Sequence, residues 1–143
     1  MTEESCLFCR IVSGELAAVI VYEDEDTLAF LDHRPLFPGH TLLVPRKHFE
    51  TLGDLPATLV GPLFKNAQLL SRAIELAMEA EGNFVAMNNR VSQSVPHLRV
   101  HIVPRRRKDG LKGFFWPRTK YSSEEEMEIA REKISAKIKQ LKN

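Results

Sequence analysis

Cys6-Leu7-Phe8-Cys9 sets two thiols at a spacing that can hold two corners of a tetrahedral zinc site, serve as a redox pair, or simply be buried. Five histidines, His33, His40, His48, His97 and His101, supply further candidate ligands and bases. Two stand out, because side chains alternate along an extended strand: His97, Arg99 and His101 fall on one face and Leu98, Val100 and Ile102 on the other. Cationisable groups in a row on one face of an apolar strand cost desolvation energy unless they meet a metal, an anion or water. Gln93 and Ser94 lie just upstream, and Asn88 closes the preceding strand. Amide, hydroxyl, imidazole and guanidinium groups gathered at strand ends are the donors that phosphoryl oxygens accept from. The competing reading is a polar loop with local turn bonds.

The elements that must position these residues begin with three β-prone runs, Val19 to Tyr22, Thr27 to Leu31 and Thr41 to Val44. The acidic Glu23-Asp24-Glu25-Asp26 joins the first two as a hairpin loop. From Asp54 the apolar period becomes helical, with Leu59, Leu63, Ala67, Leu70, Ile74 and Met78 on one stripe, Pro56 in the first turn and Gly82 as the cap. Two more strands are predicted, Asn83 to Met87 and Pro96 to Val103. A terminal helix starts with Ser123 three residues before Glu126, a capping-box spacing, and carries Met127, Ala130, Ile134, Ile138 and Leu141 as its apolar stripe. This order is not the strict alternation of a parallel α/β fold, so an α+β fold with a five-stranded antiparallel sheet, a long helix and a C-terminal helix is expected.

The 143 residues with 43% apolar side chains suit one domain with a buried core. We expect a single domain over 1–143, its core at 6–104, with a basic and aromatic segment and a helix over 105–143. No apolar run approaches bilayer length, and the acidic start lacks the features of a signal peptide, so a cytoplasmic protein without a membrane partner is expected. The net charge of +1 conceals an asymmetry: residues 1–32 hold eight acids and one base, whereas 99–120 hold eight bases and one acid, Asp109. The basic run Arg105-Arg106-Arg107-Lys108 either attracts a polyphosphate or is a solvated face, and it is too short to make nucleic acid a partner. Gly113-Phe114-Phe115-Trp116-Pro117 is expected to pack in a core or dimer interface rather than stack on substrate.

Taken together, the chain resembles the histidine-triad (HIT) family. The resemblance rests on Cys6-Leu7-Phe8-Cys9, Phe30-Leu31-Asp32 with Pro35, Gly39-His40, Val44-Pro45-Arg46-Lys47-His48, and Gln93-Ser94-Val95-Pro96-His97-Leu98-Arg99-Val100-His101-Ile102-Val103. It implies a HIT-like fold, a homodimer, and a purine nucleotide or dinucleoside polyphosphate as ligand. Zinc-containing members of the family imply a structural Cys₂His₂ zinc site at Cys6, Cys9, His48 and His97. The family also implies that Phe30, Leu31 and Asp32 hold the base and ribose. Asn88, Gln93, Ser94 and His101 would contact phosphates or leaving group, and His40 would orient a neighbouring ring. Enzymes of the family form a nucleotidyl-histidine on the middle histidine of three, and Arg99 occupies that place. A guanidinium offers no lone pair, so catalysis by the set Arg99, His101, Ser94, Gln93 and His40 is expected to be impaired. Two explanations of Arg99 follow: an altered copy of a hydrolase or transferase acting on the α-phosphate, or a non-catalytic nucleotide sensor using Arg99 as a phosphate clamp.

Overall fold

Thr27-Leu28-Ala29-Phe30-Leu31 forms strand β2 (Thr27–Leu31), paired antiparallel with β1 (Ile20–Glu23) and β3 (Thr41–Pro45). The computed structural model describes residues 5–111 and 118–142. It completes a five-stranded sheet with β4 (Gly82–Ala86) and β5 (Val100–Arg105), in the order β1-β2-β3-β5-β4 with antiparallel pairing throughout. The expected α+β class and antiparallel sheet are therefore present.

Period-two alternation divides the apolar residues between two cores. Ala29, Leu43, Leu98, Val100 and Ile102 cluster with Leu63, Ala67, Leu70 and Ile74 of the long helix α2 (Ala57–Ala77), which recur on one helical stripe. Leu28, Phe30, Leu42 and Val44 take the opposite face, where helix α1 (Leu7–Val12) contributes Phe8 and Ile11. The histidine face of β5 belongs to this second side.

Three expectations need correction, and one element was not foreseen. The strand expected from Pro96 begins at Val100, and the strand expected over Asn83 to Met87 spans Gly82–Ala86. Residues 97–99 keep the alternation without a ladder: the His97 amide donates to the Val95 carbonyl and the Leu98 amide to the Phe49 carbonyl, at 2.8 and 2.7 Å. Gly82 does not cap the long helix. Glu79 does, at φ 52°, with the amides of Glu79 and Ala80 closing on the carbonyls of Leu76 and Glu75 at 3.3 and 2.9 Å; this is a Schellman geometry without its usual glycine. Helix α1 has no counterpart in the sequence reading, because six residues are too few to show a helical period.

The acidic hairpin loop is structural. Asp24 accepts from the Asp26 and Thr27 amides at 3.0 and 2.8 Å and from the Nδ2 of buried Asn66 at 2.6 Å. Burial alone would raise the Asp24 pKa, but the Asn66 and backbone bonds outweigh it and hold the carboxyl below its ordinary value.

The chain divides into two compact units, Met1–Asp109 and Gly110–Asn143. In the second, helix α3 (Glu124–Lys142) starts as its spacing predicts, the Ser123 hydroxyl accepting from the Glu126 amide at 3.1 Å. Met127, Ile134, Ile138 and Leu141 are exposed. Residues 113–117, the expected aromatic packing segment, lie outside the described residues. Among the described residues no helix is long and apolar enough to cross a membrane.

Candidate functional site

Two clusters meet where the chain enters β5. In the first, Cys6 and Cys9 bracket the start of α1, His48 follows β3 and His97 precedes β5. Their four ligand atoms lie within 4.8 Å of one another. The Nδ1 of His97 stands 3.4 Å from the sulfur of Cys6 and 3.5 Å from that of Cys9, and the Nδ1 of His48 stands 3.3 Å from Cys9. Hydrogen bonds alone do not account for this pattern: one thiol proton on Cys9 cannot serve two rings, and one lone pair on His97 cannot serve two thiols. A central tetrahedral zinc ion, with Zn–S near 2.3 Å and Zn–N near 2.0–2.1 Å, would set a sulfur–nitrogen edge of about 3.6 Å, close to the separations found. The donors therefore fit a closed, structural metal site that both cysteines, neither of which forms a disulfide among the described residues, are placed to complete. His97 Nε2 donates to the Pro45 carbonyl at 2.9 Å, which leaves the Nδ1 lone pair for the metal.

The second cluster is a relay. The Leu36 amide donates to His40 Nδ1 at 3.0 Å, and His40 Nε2 lies 2.9 Å from His101 Nδ1. An amide can only donate, so neutral His40 carries its proton on Nε2 and gives it to His101 Nδ1; neutral His101 then carries its own proton on Nε2, as a donor. Asp32 Oδ2 stands 3.7 Å from His40 Nε2, while Oδ1 accepts from the Arg34 amide at 2.9 Å in a turn. Asp32, His40 and His101 are close enough to be weighed as a second metal set. Ligation there would leave both nitrogens of His40 as acceptors, an imidazolate, so a proton relay fits this set better. Gly39 makes the bend that aims His40: its φ is 98°, and a Cβ there would approach Met78 Cγ to 2.7 Å.

Arg99 lies between the clusters and is 9% exposed. Its guanidinium donates to the Ser94 hydroxyl at 3.1 Å and the Val95 carbonyl at 3.2 Å, and it sits 5.1 Å from the centre of the Phe8 ring. A guanidinium has more donors than these two contacts use. A desolvated cation–π contact offsets about 2 kcal/mol of the cost of burying the charge. Burial lowers the Arg99 pKa from its ordinary value, Asp32 opposing, and the group stays cationic.

Burial takes His97 down to about 4, with the Pro45 bond opposing and His48 and Arg99 adding to the fall. Burial likewise takes His101 to about 4, reinforced by His40 and Arg99. Both rings are neutral near pH 7. Between pH 6.5 and about 4 the unfolded chain binds protons that the folded chain does not, so stability rises with pH across that window. Thermal melts from pH 7 down to pH 4 are expected to show a progressive fall in melting temperature beginning below pH 6.5; a flat profile would contradict neutral, buried rings.

The other expected site residues fall as follows. Phe30 is buried beside Phe8, their ring centres 5.6 Å apart, and Leu31 is partly exposed. Gln93 is bound at both ends, Oε1 by the Arg90 amide and Nε2 to the Glu50 carbonyl, each at 2.7 Å. Asn88 is exposed, and its neighbour Asn89 holds the Leu52 amide at 2.8 Å. His33 is exposed. The basic run is largely engaged: Arg105 pairs with Asp109 at 2.6 Å, Arg107 with Glu81 at 2.8 Å, and Arg106 donates to the Met78 carbonyl. Sequence reasoning missed Phe8; its only signal is its place between the two cysteines.

These features define a class: an antiparallel α+β domain that gathers imidazole, hydroxyl and guanidinium groups where a central strand begins. The chain belongs to the HIT family, whose HIT domain model matches residues 13–108. It is 41% identical over 106 residues to an uncharacterised HIT-like protein of Methanocaldococcus jannaschii, covering 73% of this chain and 82% of that one. It is 32% identical over 136 residues to the adenosine 5'-monophosphoramidase of Schizosaccharomyces pombe, covering 94% and 99%. Among solved structures it matches a HIT family protein of Bacillus subtilis with a TM-score of 0.84, 32% identity and coverage of 92% and 96%. It also matches a zinc-bound histidine triad family protein of Mycobacterium smegmatis with a TM-score of 0.73, 39% identity and coverage of 82% and 86%.

Proposed function

We propose that this chain binds a purine nucleotide on the scaffold of a HIT hydrolase or transferase, with the phosphate held by Arg99, Ser94 and His101, and that Arg99 denies it the nucleophile for rapid turnover. The observation that carries this reading is the Arg99 guanidinium, buried yet only partly used, beside the His101 ring whose proton the relay fixes on Nε2. The monophosphoramidase relative supports an adenosine phosphate as the ligand class. In this reading Phe30, Leu31 and Asp32 take the base and ribose, Asn88 reaches the phosphates from its exposed loop, and Gln93 braces that loop through Glu50. Zinc at Cys6, Cys9, His48 and His97 is structural, in keeping with the zinc-bound mycobacterial neighbour and with a reducing, cytoplasmic setting for the thiols. By the same resemblance we read the chain as a homodimer, and sedimentation is expected to return twice the chain mass; the mass of one chain would contradict it.

Titration calorimetry with AMP tests the reading. Arg99→Gln should lower affinity by about 10- to 100-fold, the loss of a charge-assisted contact to phosphate. Equal binding by the two proteins would remove Arg99 from the site, and tighter binding by Arg99→Gln would mean that the guanidinium obstructs it.

A further inference from the structure

We propose that Phe8 couples the metal cluster to the phosphate clamp, so that a metal at Cys6, Cys9, His48 and His97 raises nucleotide affinity and bound nucleotide tightens the hold on the metal. The inference rests on the phosphate-clamp reading of Arg99. Phe8 lies between the two cysteines in sequence and is 5% exposed. Its ring meets three partners: His97, edge to face at 5.8 Å between centres; Phe30 at 5.6 Å; and the Arg99 guanidinium at 5.1 Å. One side chain thus touches a metal ligand, the residue expected beside the base, and the cation that would hold phosphate.

Helix α1 cannot hold this ring in place by itself. It spans six residues, Cys6 at its N-cap makes no side-chain capping bond, and a helix of that length is unstable in isolation. Its anchors are tertiary: Phe8 and Ile11 in the apolar cluster, and the sulfurs of Cys6 and Cys9 against His97 and His48. A metal shared by those four donors fixes α1 and with it the ring face under the guanidinium. An electron-rich face holds the cation where a phosphate oxygen meets it and lowers the ordering cost of binding. Linkage makes the effect reciprocal, so phosphate that seats Arg99 on the ring favours the metal-bound arrangement by the same factor.

The test uses the full, zinc-loaded protein. AMP affinity is measured by calorimetry for the parent, Phe8→Leu, Arg99→Gln and the double variant, with zinc content measured for each; zinc release to a chelator is followed with and without saturating AMP. Phe8→Leu is expected to weaken AMP by roughly five- to thirtyfold while keeping its zinc. The same change in the Arg99→Gln background should cost less than about twofold, a non-additivity that a general packing role would not produce. In the parent, AMP should slow zinc release several-fold. An additive Phe8→Leu loss in both backgrounds, or zinc release indifferent to AMP, overturns the coupling. Should Phe8→Leu fail to fold, the zinc-release measurement on the parent decides alone. A parent that binds no AMP overturns the nucleotide reading itself, a result distinct from either.

Discussion

Arg99→His is expected to raise hydrolysis of an adenosine phosphoramidate by at least about a thousandfold, the scale on which a covalent nucleophile acts. The surroundings favour a histidine there. A ring N–H directed at the Val95 carbonyl, which now accepts from the guanidinium at 3.2 Å, would leave the other ring nitrogen with its lone pair. That nitrogen would attack the α-phosphorus, the amine would leave with a proton, and water would resolve the nucleotidyl-histidine. His101, neutral near pH 7 with its proton on Nε2, stands ready to donate to a phosphoryl oxygen or the leaving group. Intact-mass measurement of the quenched variant should show one nucleotidyl adduct on residue 99. A variant that folds, binds AMP and remains as slow as the parent would end the view that this is the scaffold of an α-phosphate enzyme.

Removal of the proposed zinc is expected to have the second large effect. The proposed site joins a six-residue helix to two loops that flank the central strands, so the binding free energy of the metal becomes folding free energy for that side of the sheet. Chelation, or Cys9→Ala, should lower the melting temperature by roughly 10 °C or more. Cys6 and His97 are fully buried, and without the ion the Cys6 sulfur is left 3.4 Å from a His97 Nδ1 that also meets the Cys9 sulfur at 3.5 Å. Metal analysis of protein purified without chelators should find one zinc per chain. Substoichiometric zinc, or a melting temperature indifferent to chelation, would defeat the metal assignment.

The sheet was legible because Thr27 to Leu31 and Thr41 to Val44 alternate against turn signals, and the long helix because its apolar stripe runs unbroken from Leu59 to Met78. The face shared by His97, Arg99 and His101 was legible for the same reason, although the ladder holds only the last of them. That difference arises because β4 ends with Ala86 opposite His101, and Pro45 at the end of β3 has no amide to give. What sequence could not carry are the backbone partners that decide the chemistry: the Pro45 carbonyl that frees His97 Nδ1, and the Leu36 amide that fixes the proton of His101 two rings away. The Schellman cap at Glu79 escaped because its usual marker, glycine, is absent. Phe8 escaped because its partners come from residues 30, 97 and 99, and no spacing within α1 announces them.

The most direct test is a crystal structure of the zinc-loaded chain with AMP. The α-phosphate oxygens are expected within hydrogen-bonding distance of the Arg99 guanidinium, the Ser94 hydroxyl and His101 Nε2, with the adenosine against Phe30, Leu31 and Asp32. A nucleotide seated elsewhere, or a phosphate that leaves Arg99 on Val95 and Ser94 alone, would contradict the account.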